Sequence, residues 1–83
     1  MKKSGISTSD REWLKRLGEN CERLIKERGY ASVYDFWINK AGDDLSRASL
    51  NNLIIGKKDF RLTTVRKLAK LLGVKTSRLF SFE

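Results

Sequence analysis

The spacing of apolar residues along the chain predicts a long helix behind a short irregular start. Residues 1–8 show no periodicity, whereas over about residues 10–28 apolar side chains recur every three or four positions, with charged side chains opposite. Ser9 and Glu12 have the spacing of a capping box, and Gly29 suits a left-handed helix end. We therefore predict a flexible basic arm over residues 1–8, followed by the first helix.

The same reasoning predicts a second and a third helix. Ser32 caps the second helix, which ends at Gly42. Its inward-facing residues follow a spacing of i, i+3, i+4 and i+7, and they are Tyr34, Trp37, Ile38 and Ala41. Ser46 caps a third helix over about residues 47–55, which Gly56 ends. Leu50 and Leu53 give this helix its inward side.

A fourth helix and a final helical turn complete the pattern. Thr63 or Thr64 begins the fourth helix, and Gly73 ends it. Its apolar face consists of Val65, Leu68, Ala69 and Leu72. Thr76 begins the final turn. Five helices with short connections, in a chain without proline, predict one all-α domain over residues 9–83.

The composition narrows the classes of function. The 83 residues include no histidine and a single cysteine, Cys21. The chain therefore lacks the commonest general base and most zinc and haem ligands, and it cannot form an internal disulfide. No apolar run approaches the ~20 residues of a membrane span, and no secretory signal is visible. We expect a cytoplasmic protein that is not an enzyme and uses no metal or cofactor.

Positive charge is concentrated in the second half of the chain. The net charge is +8. Residues 1–44 contain nine basic and eight acidic side chains, a net of +1, whereas residues 45–83 contain nine and two, a net of +7. Such a field attracts a polyanion through counterion release. A basic surface that only aids solubility is the alternative, so charge alone indicates nucleic acid without deciding for it.

Two predicted helices joined by a short turn with a glycine, over residues 37–58, have the organisation of a helix-turn-helix. Four segments in order resemble the Cro/CI-type (XRE-like, lambda-repressor-like) family of DNA-binding domains: LGENCERLIKERGY, NKAG, LSRASLNNLIIGKK and VRKLAKLLGVKTSRLF. The resemblance covers about residues 17–80. It implies a five-helix lambda-repressor-like domain whose second and third helices form the helix-turn-helix. It also implies a bacterial or phage-encoded transcriptional regulator, most simply a repressor that binds a palindromic operator as a homodimer.

The chain departs from the family pattern around the second and third helices. Asp43 and Asp44 lengthen the turn between them. Trp37 and Ile38 stand where the family usually has a small alanine, and Ile54 stands where an acidic residue is common. We therefore expect the crossing of these two helices to differ from that of the family.

The outward side of the third helix carries side chains that can recognise bases. With the leucines inside, the exposed residues are Arg47, Ala48, Asn51 and Asn52. Arginine can donate two hydrogen bonds to guanine, asparagine can pair with adenine, and alanine can contact a thymine methyl group. Ordinary surface positions are the alternative, although two asparagines in one exposed turn weaken a helix without another use.

A second set of residues is predicted to contact DNA phosphates. The set combines hydroxyl donors, helix N-termini and basic side chains, and consists of Ser32, Tyr34, Ser46, Ser49, Lys57, Lys58 and Arg61. The resemblance places the Lys57–Lys58 loop against the backbone, and a solvated loop is the alternative. Lys2 and Lys3 could extend round the duplex or belong to a disordered terminus.

Surplus apolar residues near the ends of the third and fifth helices suggest a dimer surface: Ile55, Leu79, Phe80 and Phe82. Closing the open end of the core is the alternative for these residues.

A different class of function is also open. The same fold could serve as a protein-interaction module, for example an antitoxin, through Ile54, Ile55 and the Phe80–Phe82 surface. A further protein partner or an additional C-terminal domain is compatible with the sequence.

Overall fold

The chain forms helices joined by short connections, and the computed structural model describes residues 8–57 and 60–82. The α-helices of this part are α1 (Thr8–Glu27), α2 (Val33–Phe36), α3 (Arg47–Ile55) and α4 (Leu62–Leu72). α2 continues directly into a π-helical segment, Trp37–Ala41, and a 3₁₀-helix, Thr76–Phe80, follows α4. The described residues contain no strand, which confirms the all-α class.

α1 lies close to its predicted limits, although its first turn differs from the prediction. The helix begins at Thr8, so Ser9 lies inside the first turn and the predicted capping box was wrong. Asp10 lies in the same turn, where its negative charge interacts favourably with the positive end of the helix dipole. Gly29 has a φ of 98°, the left-handed conformation predicted for the end of the helix. The rest of the predicted basic arm lies outside the described residues.

The inward face predicted for the second helix was wrong in part. Phe36 and Ala41 are buried, whereas Tyr34 is 51% and Ile38 is 53% exposed. Trp37 is half-buried. The cause is the π-helical turn, because its i→i+5 hydrogen bonding brings residues five apart, such as Phe36 and Ala41, towards the same side. A regular α-helical spacing therefore selects the wrong residues in this segment.

α3 has both of its predicted caps and α4 ends at its predicted glycine, whereas the predicted start of α4 at Thr63 or Thr64 was wrong. The Ser46 hydroxyl oxygen accepts a hydrogen bond from the Ser49 amide at 3.0 Å, and Gly56 has a φ of 84°. α4 begins at Leu62, slightly before the predicted threonines, and ends at Gly73 with a φ of 72°. The Val74 amide then donates to the Ala69 carbonyl at 3.0 Å, as in a Schellman motif.

A single buried core connects all the helices. Its largest fully buried side chains come from the four α-helices and the 3₁₀-helix, and they are Leu17, Cys21, Ile25, Phe36, Leu50, Leu53, Val65, Leu68 and Leu79. Burial raises the pKa of the Cys21 thiol to about 12, so the thiol stays neutral at physiological pH. Cys21 therefore acts as a small apolar core residue.

Two glycines allow α3 to pack directly on the backbone of α1. A Cβ atom at Gly18 would lie 2.9 Å from the carbonyl oxygen of Leu53 and 2.7 Å from the carbonyl carbon of Ile54. A Cβ atom at Gly56 would lie 3.2 Å from the backbone of Leu14 and of Lys15. The C-terminal half of α3 is thus held against α1, and this contact fixes which side of α3 faces outward.

A buried amide joins the C-terminal 3₁₀-helix to α1. The side-chain nitrogen of Asn20 donates to the carbonyl oxygens of Leu79, at 2.8 Å, and of Arg78, at 3.3 Å. Its side-chain oxygen accepts from the guanidinium of Arg23. Asn20 is only 5% exposed, so these bonds replace water for the polar groups at the end of the 3₁₀-helix.

Changing Asn20 to aspartate is expected to destabilise the domain by about 2–3 kcal/mol at neutral pH. The variant would place an acceptor against two carbonyl oxygens in a buried position, where an unmet polar group costs ~1–3 kcal/mol and a charged group more. Urea unfolding should measure the change. Asn51→Asp, at an exposed position of α3, is the matched control and should shift stability by no more than ~0.5 kcal/mol. Equal effects at the two positions would contradict the role of Asn20.

Candidate nucleic-acid interface

The outward side of α3 is open to solvent, as the sequence predicted. Leu50 and Leu53 are each 1% exposed and fill the core. Arg47, Ala48 and Asn51 are exposed on the opposite side, and Asn52, the remaining predicted base contact, is half-buried. Because α1 holds the inner side through backbone contacts, the exposed side chains project from a rigid support.

The N-terminus of α3 has a capping pair that leaves one hydroxyl proton available. The Ser46 hydroxyl donates to the Ser49 hydroxyl oxygen at 2.8 Å while it accepts from the Ser49 amide. One hydroxyl proton of the pair then remains for an external acceptor. Acidic residues are absent from the first turn of α3, so its positive dipole end is not neutralised locally. The serine pair at the start of α3 therefore suits a phosphate contact.

Basic side chains flank the C-terminal end of α3. A shallow cleft of about 190 Å³ lies beside the helix, and Ala48, Ser49, Asn52, Phe60 and Arg61 line it. Arg61 is exposed at the position before α4, and Lys57 is exposed directly after Gly56. The Lys57 amide donates to the Asn52 carbonyl at 2.9 Å, which ties its backbone to the end of α3. Lys58 lies outside the described residues.

The start of α2 is less suited to phosphate than the sequence suggested for Ser32. The Ser32 hydroxyl oxygen accepts from the Asp35 amide at 3.0 Å. The Asp35 carboxylate accepts from the Ala31 amide at 2.9 Å and from the Asn39 side chain at 2.7 Å. A carboxylate thus already lies at this helix start, where its negative charge opposes a second anion.

Tyr34 is exposed beside the N-terminus of α3, and its ring contacts a predicted base-reading residue. The Arg47 guanidinium carbon lies 4.9 Å from the centre of the Tyr34 ring. Both residues line a small cleft of about 110 Å³ between the two helices. This pairing could not be found in the sequence, because the two residues lie on different helices and no local signal shows that their side chains meet.

The predicted dimer residues do not form one exposed patch. Leu79 is fully buried, so the prediction that it lies on a dimer surface was wrong, and it closes the core instead. Phe80 and Phe82 are half-buried. Their ring centres lie 5.8 and 5.6 Å from that of Trp13, at the start of α1. Ile55, at 55% exposure, keeps most of its side chain free.

The second-half excess of positive charge extends beyond α3 and its flank. A cleft of about 380 Å³ lies between the π-helical segment and α4, and Lys40, Asp44, Lys67, Lys70 and Leu71 line it. The Lys67 ammonium donates to the Asp44 carbonyl at 3.4 Å. The charge count of residues 45–83 includes Lys67 and Lys70, but the sequence analysis named neither of them as a candidate contact.

Comparison with known proteins adds no relative. No family model, curated protein or solved structure matches the chain at a significant level. Within residues 8–57 and 60–82, no helix has the length and apolar character needed to cross a membrane. The likeness to the Cro/CI-type family therefore rests on four short segments of the sequence alone.

Proposed function

We propose that the chain binds double-stranded DNA in a sequence-specific manner and acts as a transcriptional regulator, most simply a repressor, without chemistry of its own. The observation that carries the proposal is the outward side of α3, where Arg47, Ala48 and Asn51 are exposed on a helix whose other side is buried. In this proposal α2 with its π-helical segment and α3 form the helix-turn-helix, and α3 enters the major groove.

The residues around α3 divide between base reading and positioning. Arg47 and Asn51 have the donors and acceptors for bidentate contacts to guanine and adenine, and Ala48 has a methyl group for thymine. Ser49 in the first turn of α3 supplies a hydroxyl for phosphates, and Lys57 and Arg61 beside the helix supply two positive charges. Phosphate contacts fix the register of the helix, and base contacts supply the preference.

A pair of chains is the simplest way to reach useful specificity. One reading helix contacts only a few base pairs, and two-fold dimers read half-sites about one helical turn apart. The proposed operator is therefore palindromic. Among the residues predicted for a dimer surface, the apolar side chains available for such contact are Ile55 and the solvent-facing parts of Phe80 and Phe82. Selection of preferred duplexes from a random pool should yield a palindrome whose half-site spacing reports the dimer geometry.

Arg47→Ala and Lys57→Ala should weaken DNA binding in different ways. Loss of a bidentate base contact is expected to cost ~1–3 kcal/mol on the selected duplex and to relax the preference at that base pair. Loss of a phosphate contact should weaken all duplexes alike and reduce the salt slope by about one. Titration of labelled selected and mismatched duplexes at several salt concentrations measures both. Unchanged site preference in Arg47→Ala would show that the reading side is misassigned.

The alternative of a protein-interaction module makes the opposite prediction in the same titration. Such a module would bind no duplex in a salt-dependent way and would copurify with a partner. The apolar surface suggested for it is reduced in the structure, because Ile54 is partly buried against the core and the phenylalanines pack on Trp13. DNA binding therefore has the stronger support from the exposed groups.

A further inference from the structure

Tyr34 belongs to a chain of ring contacts that ends at Arg47. The Trp37 indole nitrogen donates to the Leu45 carbonyl at 2.9 Å, which ties the indole to the turn before α3. The Tyr34 ring stacks on Trp37, with ring centres 6.3 Å apart and planes 29° apart. The Arg47 guanidinium carbon lies 4.9 Å from the Tyr34 ring centre. The outermost member of the chain is the first residue of the proposed reading helix.

This arrangement limits where the guanidinium can lie. A cation over an aromatic face is attracted by the quadrupole of the ring, within about 6 Å of its centre. An exposed arginine otherwise populates many rotamers, and fixing it in one of them on binding costs conformational entropy. A guanidinium already held at the N-terminus of α3 loses less conformational freedom when its planar donors bind a base.

We propose that Tyr34 is a positioning residue that orients Arg47 for base recognition through its ring, and that its hydroxyl is not required. This inference rests on the proposed DNA-binding function. It also replaces the expectation from the sequence that the Tyr34 hydroxyl contacts a phosphate. The contributions of the ring and of the hydroxyl can be measured separately, because phenylalanine keeps the ring and lacks the hydroxyl.

Duplex titration of Tyr34→Phe and Tyr34→Leu should separate the two roles. We expect Tyr34→Phe to bind the selected duplex within about twofold of the unmodified chain. We expect Tyr34→Leu to lose between about twofold and thirtyfold, the range that corresponds to a cation–π contact. On a duplex altered at the base pair read by Arg47, Tyr34→Leu should bind as the unmodified chain does. The inference would be overturned if Tyr34→Phe lost as much affinity for the selected duplex as Tyr34→Leu. It would also be overturned if Tyr34→Leu bound that duplex more tightly than the unmodified chain.

A double-mutant cycle with Arg47→Ala tests whether Tyr34 acts through the arginine. If it does, adding Tyr34→Leu to Arg47→Ala should cause no further loss, whereas independent roles would give additive losses and overturn the inference. Thermal unfolding of each variant shows whether the domain stays folded.

Proton chemical shifts of the free protein give a readout that needs no DNA. The ring current of the aromatic side chain should move the Arg47 side-chain protons upfield, both in the unmodified chain and in Tyr34→Phe. The same protons should return to ordinary values in Tyr34→Leu. Ordinary chemical shifts of the Arg47 side-chain protons in the unmodified chain would overturn the positioning role of Tyr34. That result would leave the proposal of DNA binding unaffected. Shifted protons in a chain that binds no duplex would instead show that the proposed function had failed, and the positioning role with it.

Discussion

Replacing Gly18 by alanine is expected to destabilise the domain by about 3 kcal/mol or more. The added methyl group would lie within 3 Å of the carbonyl groups of Leu53 and Ile54. Both are backbone groups of α3, so no side-chain rotation can make room, and the two helices must separate. Overpacking in a well-packed interior typically costs ~1–3 kcal/mol and occasionally more. Since a domain of this size has a total stability of only ~4–12 kcal/mol, the variant should lose a large part of it.

Urea unfolding followed by far-ultraviolet circular dichroism measures this loss. Intrinsic helix propensity works in the opposite direction, because alanine is favoured over glycine inside a helix by about 1 kcal/mol. Glu19→Ala, at the exposed neighbouring position, is the matched control and should change stability by ~0.5 kcal/mol at most. A Gly18→Ala variant as stable as the unmodified chain would mean that α1 and α3 do not approach each other as described.

The outward side of α3 could be predicted from sequence because local signals determine it. Ser46 as cap, Gly56 as terminator and two leucines three positions apart are local signals, and they determine both the limits and the inner side of α3. Once that side is buried, Arg47, Ala48 and Asn51 must face outward. Local pattern was sufficient because α3 is a regular α-helix.

Contacts between distant residues required the structure. Gly18 offered only the weak signal that a glycine inside a helix has a packing reason, and the partner in α3 is far away in sequence. The pairing of Asn20 with the 3₁₀-helix and that of Tyr34 with Arg47 also depend on how the helices are arranged. The prediction that Leu79 lies on a dimer surface failed for the same reason. An apolar residue has the same helical spacing whether it closes a core or contacts a partner, so the spacing does not distinguish the two.

The second helix shows where periodicity itself misleads. An α-helical spacing predicted Tyr34, Trp37, Ile38 and Ala41 on the inner face, whereas the π-helical turn rotates the later residues relative to the earlier ones. Phe36 becomes the buried aromatic residue, with its ring centre 5.1 Å from that of Tyr30 in an edge-on contact. The half-buried Trp37 donates from its indole nitrogen to the Leu45 carbonyl, so its side chain lies at the turn before α3.

Phe36→Ala is therefore expected to cost about 3–5 kcal/mol, and Ile38→Ala less than about 1 kcal/mol. Phe36 is fully buried, and truncation of a buried phenylalanine removes its transfer free energy and leaves a cavity. Ile38 is 53% exposed, so its truncation removes little buried surface. Urea unfolding of the two variants, side by side with the unmodified chain, measures both changes. If the second helix were a regular α-helix, Ile38 would be buried and the order of the two stability losses would reverse. A large loss in Ile38→Ala beside a small loss in Phe36→Ala would therefore refute the π-helical turn.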